Sequence, residues 1–122
     1  MNQKEVDTKS KKAWPTSLDA MTAAPDNHRI LFENDRVRVL DTNIPPGETV
    51  PLHTHRWQSV MYIQSFSDFI RYDEQGQVLL DSSKLSSKPK VGEVMWSSPL
   101  EPHTLKNTGS TDLHVISVEL KD

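Results

Sequence analysis

The stretch Gly47-Glu48-Thr49-Val50-Pro51-Leu52-His53-Thr54-His55 carries the reading of this chain. On a strand, residues two apart project to the same face with Cα atoms about 6.6 Å apart, so the His53 and His55 imidazoles can converge on one ion. Taken alone, H-x-H reads more readily as two polar residues on an exposed edge strand. A second stretch changes that weighting. Gly92-Glu93-Val94-Met95-Trp96-Ser97-Ser98-Pro99-Leu100-Glu101-Pro102-His103-Thr104-Leu105-Lys106-Asn107 places another histidine on a new strand, just after a proline-bounded turn.

Working outward, short β-branched and aromatic runs separated by turn residues continue from His28 to the end. Strands are expected over residues 29–32, 36–44, 49–55, 58–64, 66–72, 77–80, 93–97, 103–106 and 112–120. Between them stand turn formers such as Glu33-Asn34-Asp35, Pro45-Pro46-Gly47, Asp73-Glu74-Gln75-Gly76 and Asn107-Thr108-Gly109-Ser110. Short strands at this spacing, with no helical period between them, predict an all-β sandwich or barrel. Residues 1–27 have few large apolar groups and read as an N-terminal arm ahead of a barrel domain over 28–122. Within the arm, Ser17 is placed to cap a short helical turn that Pro25 stops.

Composition narrows the function classes. A length of 122 residues fits one domain. The absence of cysteine rules out disulfides, thiolate metal sites and a cysteine nucleophile, so any metal must be held by nitrogen and oxygen. A net charge of -3, with no basic run beyond Lys9, Lys11 and Lys12, argues against a nucleic-acid partner. No apolar run is long enough to cross a bilayer, and the opening residues lack the apolar block of a secretory signal, so a cytoplasmic location is expected.

Together, the glycine followed after five residues by H-x-H and the later proline turn leading to H-x-x-x-N resemble the two sequence motifs of the cupin superfamily. The resemblance covers roughly residues 37–120. It implies a double-stranded β-helix, the jelly-roll barrel of cupins, with ligands from both motifs pointing at a single metal ion. The matching positions here are His53, His55 and His103. The glutamate that the first motif usually supplies is missing, and Ser59 stands in its place as a possible fourth position. Ser65 and Ser98 also depart from the usual glycine and proline, both in turns.

Unbroken strand alternation from His55 puts Trp57, Ser59, Met61 and Ile63 on the histidine face. With Trp96 and Leu105, the residues Trp57, Met61 and Ile63 are expected to line an apolar pocket suited to a small organic ligand or substrate. Arg56, Arg71 and Tyr62 are placed at a rim or in the opposite layer, Glu48 and Glu101 near the barrel mouth, and His28 and His114 as structural or surface residues. Three neutral histidines with open positions suit zinc, and imidazole also suits iron, copper and nickel, with manganese a further candidate divalent ion. Some cupin dioxygenases likewise use three histidines and no glutamate. The resemblance therefore leaves open a metal-dependent enzyme of dioxygenase or isomerase type and a non-catalytic binding protein or sensor, and small cupins commonly pair as homodimers.

Overall fold

The computed structural model describes residues 14–122, so the expectations for the first half of the arm lie outside the described residues. All the expected strands form: β1 (His28–Glu33), β2 (Val37–Ile44), β3 (Thr49–His55), β4 (Gln58–Ser65), β5 (Phe69–Tyr72), β6 (Val78–Asp81), β7 (Val94–Ser97), β8 (Leu100–Asn107) and β9 (Leu113–Leu120). They build two antiparallel sheets, ordered β1-β2-β9-β4-β7 and β3-β8-β5-β6. Alternating residues of both sheets face inward, and Ile44, Val50 and Leu113 form the core with Phe66, Phe69, Leu105 and Val115 packed against it.

Two strands start three residues away from where the sequence pattern places them, and the others within one. β5 begins at Phe69 rather than residue 66 because the preceding residues serve a turn: Ser67 donates to Asn107 Oδ1, and the Asp68 carbonyl accepts from the Thr108 and Gly109 amides. β8 begins at Leu100, ahead of Pro102. That proline is tolerated because β5 pairs only with residues 104–107 of β8, so no ladder bond is lost on that side. Gly47 and Gly92, which open the two motifs, have φ of +80° and +89°, a region that side chains with a Cβ rarely enter.

Asn107, the last residue of the second motif, is fully buried and closes one end of the barrel. Its amide donates to the Ile44 and Thr111 carbonyls at 2.8 Å each, and its Oδ1 accepts from Ser67 Oγ and the Gly109 amide at 2.7 and 2.9 Å. One side chain thereby joins β2, β8 and two turns.

The described part of the arm packs on the barrel. A 3₁₀ turn, Thr16–Leu18, leads into a single α turn, α1 (Ala20–Ala23). The cap is Asp19, whose carboxylate accepts from the Met21 amide, and Ser17 lies inside the 3₁₀ turn instead. Ala20 and Ala24 are buried, and Asp19 forms a backbone bridge with Thr54 of β3. Small side chains here let the turn approach the sheet closely. No helix among the described residues is long and apolar enough to cross a membrane.

Candidate functional site

Antiparallel pairing of β3 with β8 sets His53 directly opposite His103, which joins the two motifs across one ladder. Their ring centroids are 4.3 Å apart; His55 lies 5.0 Å from His53 and 5.9 Å from His103. A fourth histidine enters from the other sheet. His28, the first residue of β1, is 5.0 Å from His53 and 5.2 Å from His55. His53 and His55 are thus the central members of the group, touching both His28 and His103. The trio whose ligand nitrogens all lie within 4.8 Å of one another is His28, His53 and His55.

Each ring has one nitrogen engaged. Nδ1 of His28, His53 and His103 lies 2.9, 2.7 and 2.6 Å from the carbonyl oxygens of Ala24, Pro51 and Glu101, and Nδ1 of His55 lies 3.2 Å from Glu119 Oε2. With carbonyls as the only partners, Nδ1 must be the protonated nitrogen in His28, His53 and His103, which leaves Nε2 as the lone-pair donor. The imidazoles are also held neutral. Burial, followed by the charge of a neighbouring histidine, depresses His53 and His55 to about 3 and His103 to about 2; burial lowers His28 as well. Neutral imidazoles with a fixed tautomer are the form in which histidine binds metal, and such a donor set suits an ion that prefers nitrogen.

A carboxylate does reach the group, although not from the first motif. Ser59 is buried and faces inward as the alternation requires, and directly opposite it on β9 stands Glu119, 1% exposed. Glu119 Oε1 accepts from Arg38 Nε at 2.6 Å, while Arg38 Nη1 and Nη2 donate to the two Asp19 oxygens at 3.0 Å each. The resulting chain of contacts runs Asp19, Arg38, Glu119, His55. Burial pushes the Glu119 carboxyl up against the opposing pull of Arg38. At the more open Asp19, burial also raises the pKa, but the Arg38 and Met21 contacts outweigh it and the net shift is downward.

The histidines stand at one wall of a cavity of about 220 Å³ whose lining is mainly aliphatic and aromatic. Ser59, Met61, Ile63 and Leu105 line it, whereas Trp57 and Trp96 do not. Met61 pairs with Met95 across β4 and β7 and both face the cavity, so Trp96, opposite Val60, turns outward and is 55% exposed. Trp57 lies in the β3–β4 connection beneath three cations, Arg38, Lys121 and Arg56, at 5.0, 5.7 and 5.9 Å from its ring. Arg71 lines the cavity, while Tyr62 is exposed. Neither Glu48 nor Glu101 is among the lining residues: Glu48 accepts from Asn27 Nδ2 at 2.6 Å, and Glu101 contributes its backbone to His103. His114 pairs with Asp41 away from the group.

His28 and Glu119 were the two members that motif spacing did not supply. Glu119 had a signal, since it shares strand parity with Leu113, Val115 and Ser117 and therefore sits on the inward face of β9. His28 had none, because only the meeting of the two sheets brings it to β3.

No protein-family model matches the chain. It is 29% identical over 75 residues to a curated oxalate-binding protein of Thermotoga maritima, which is 62% of this chain and 54% of that protein. The chain thus spans about half the length of that relative. Among solved structures, it superposes on a cupin domain from Bordetella pertussis with a TM-score of 0.63 at 19% identity, covering 78% of this chain and 92% of the other. An RmlC-like cupin from Methanocaldococcus jannaschii, described as a double-stranded β-helix, gives 0.52 at 17% identity over 77% and 78% of the two chains.

Proposed function

Starting from a barrel of the cupin fold, we propose that it binds a divalent metal ion through His53, His55 and His103, and that ion and cavity together take a small organic molecule. His28 completes the set where the first motif lacks its glutamate. The observation that supports this best is the common arrangement of four neutral imidazoles, three buried and that of His55 half-buried, each with its Nδ1 engaged, at the wall of one apolar cavity. The contact from Glu119 to His55 is the kind of carboxylate support that orients a ligating histidine. When bound, such an ion supplies Lewis acidity, and an iron ion adds dioxygen chemistry, the dioxygenase-like form of the reading.

A binding-only form is favoured by one observation, the description of the curated relative as an oxalate-binding protein. The two forms part on turnover: an enzyme of the first kind consumes oxygen with a substrate present, and a binder does not. Metal content of the protein, purified without tag or chelator, tests what they share. We expect close to one equivalent of a transition metal in the wild type and loss of most of it in His53→Ala with the fold retained by circular dichroism. A chain that is metal-free, folded and indifferent to added zinc, nickel, iron and copper overturns the reading. A homodimer is part of the same proposal, since β1 is an edge strand that exposes Ile30, Leu31 and Phe32.

A further inference from the structure

Arg71 is the one cavity residue whose chemistry is left unanswered by the rest of the barrel. It sits on β5 opposite Leu80 of β6 and Leu105 of β8, and all three line the cavity, so its side chain shares their inward face. Its Nε is buried without a hydrogen-bond partner, the only such side-chain atom among the described residues. No carboxylate pairs with its guanidinium among them either, and it lies 5.9 Å from the centre of the Phe69 ring.

The contrast with Arg38 is instructive. Arg38 is equally an inward arginine, but it is met by Asp19 and Glu119. Glu119 is the only acidic residue lining the cavity among the described residues, and it is already shared between Arg38 and His55. An arginine cannot shed its proton to relieve burial, so its charge remains unbalanced inside an apolar space. Arg71 lines the same cavity as His28, His53, His55 and His103, so guanidinium and histidine group face the same volume. An imidazole, neutral or protonated, supplies no negative counter-charge.

We infer that Arg71 is the anchor for an anionic ligand: the cavity takes an organic carboxylate whose charged end sits between Arg71 and the histidine group and whose apolar body fills the space lined by Met61, Leu80, Met95 and Leu105. The planar guanidinium fork matches a carboxylate by paired hydrogen bonds, and the apolar walls leave no other role for it. This rests on the cavity being the ligand site, but it does not require the metal ion.

Benzoate and its uncharged analogue benzamide are suitable probes, measured by calorimetry on the protein as isolated and again after chelation. Benzoate should bind in both preparations and benzamide at least about tenfold more weakly, with Arg71→Met reducing benzoate affinity by about 10- to 100-fold, the range for losing a charge-assisted hydrogen bond. Arg71→Lys should recover part of it. Equal binding of the two probes to wild type, binding of neither, or full benzoate affinity in Arg71→Met each overturns the inference. The wild-type comparison needs no variant to fold. Metal content of the same samples separates the two proposals: carboxylate selectivity in a chain that holds no metal sinks only the metal reading. A metal-loaded Arg71→Met that keeps its benzoate affinity sinks only the Arg71 assignment.

Discussion

Mild acid should unfold the metal-free chain, and the histidine group sets how steeply. Unfolded histidines take up protons near 6.5, whereas His53 and His55 are held to about 3 and His103 to about 2 in the fold. Their folded pKa values are depressed, so the stability they contribute is fully present above 6.5. It is lost as pH falls from there towards 3, because only the unfolded state binds the protons. Between pH 6.5 and 5 each contributes about 1.4 kcal/mol per pH unit, hence about 2 kcal/mol apiece and about 6 kcal/mol for three. Glu119, raised by burial, works in the opposite sense and offsets at most about one of those protons, while Asp19 and Asp41, lowered in the fold, act only at more acid pH. A loss of about 4 to 6 kcal/mol is comparable with the whole stability of a typical domain, roughly 5 to 15 kcal/mol. Urea unfolding followed by circular dichroism on chelated protein, at several pH values from 8 to 5, reads the slope directly. His103→Gln should remove about one proton from it. An unfolding free energy that is flat within about 1 kcal/mol between pH 7.5 and 5 would refute the reasoning, because groups buried in neutral form cannot avoid this linkage. A saturating ion that binds the native imidazoles should raise stability by about 2.7 kcal/mol at a hundredfold excess over Kd and leave the slope between pH 8 and 5 unchanged, because those imidazoles are already unprotonated there.

Other outcomes follow from particular contacts. Arg38→Met strands Glu119 in the interior and takes from half-buried Asp19 its charge partner, and should destabilise by about 3 to 5 kcal/mol, a fall in Tm on the order of 10 °C, with part regained in the double variant Arg38→Met, Glu119→Gln. Unchanged melting of the single variant would deny the pair any structural weight. Asn107→Ala takes from the Ile44 and Thr111 carbonyls and the Ser67 hydroxyl the partner each has in Asn107, and chemical denaturation should register about 2 to 4 kcal/mol. Trp96→Ser, on the outward face of β7, should leave metal content and benzoate affinity within about twofold of wild type. A tenfold loss would return Trp96 to the cavity.

The strands were legible because alternation and turn chemistry are local: Pro45-Pro46-Gly47 or Asp73-Glu74-Gln75-Gly76 announces a reversal whatever lies across the sheet. The facing of His53 and His103 was legible for a related reason, since each motif carries its own histidine on its own strand. What alternation cannot tell is which of two faces is the inner one. Trp96 does share a face with Val94, as parity requires, yet pairing of Met61 with Met95 turns that face outward. Ser17 gave way to Asp19 as cap because Asp19 also meets Arg38, a partner 19 residues away. His28 was hidden for the same kind of reason: its place depends on two sheet edges meeting, and no window of sequence contains both.

The run of contacts from Asp19 through Arg38 and Glu119 to His55 constrains how this protein can drift in evolution. Exchanging any one link leaves its neighbour stranded away from water, so variants at residues 19, 38 and 119 are expected to survive chiefly as coordinated replacements. Residue 19 precedes β1, outside both motifs, and still belongs to that set. Shortening the chain past it would therefore leave the guanidinium of residue 38 with Glu119 alone and remove the bridge to Thr54, the neighbour of residue 55.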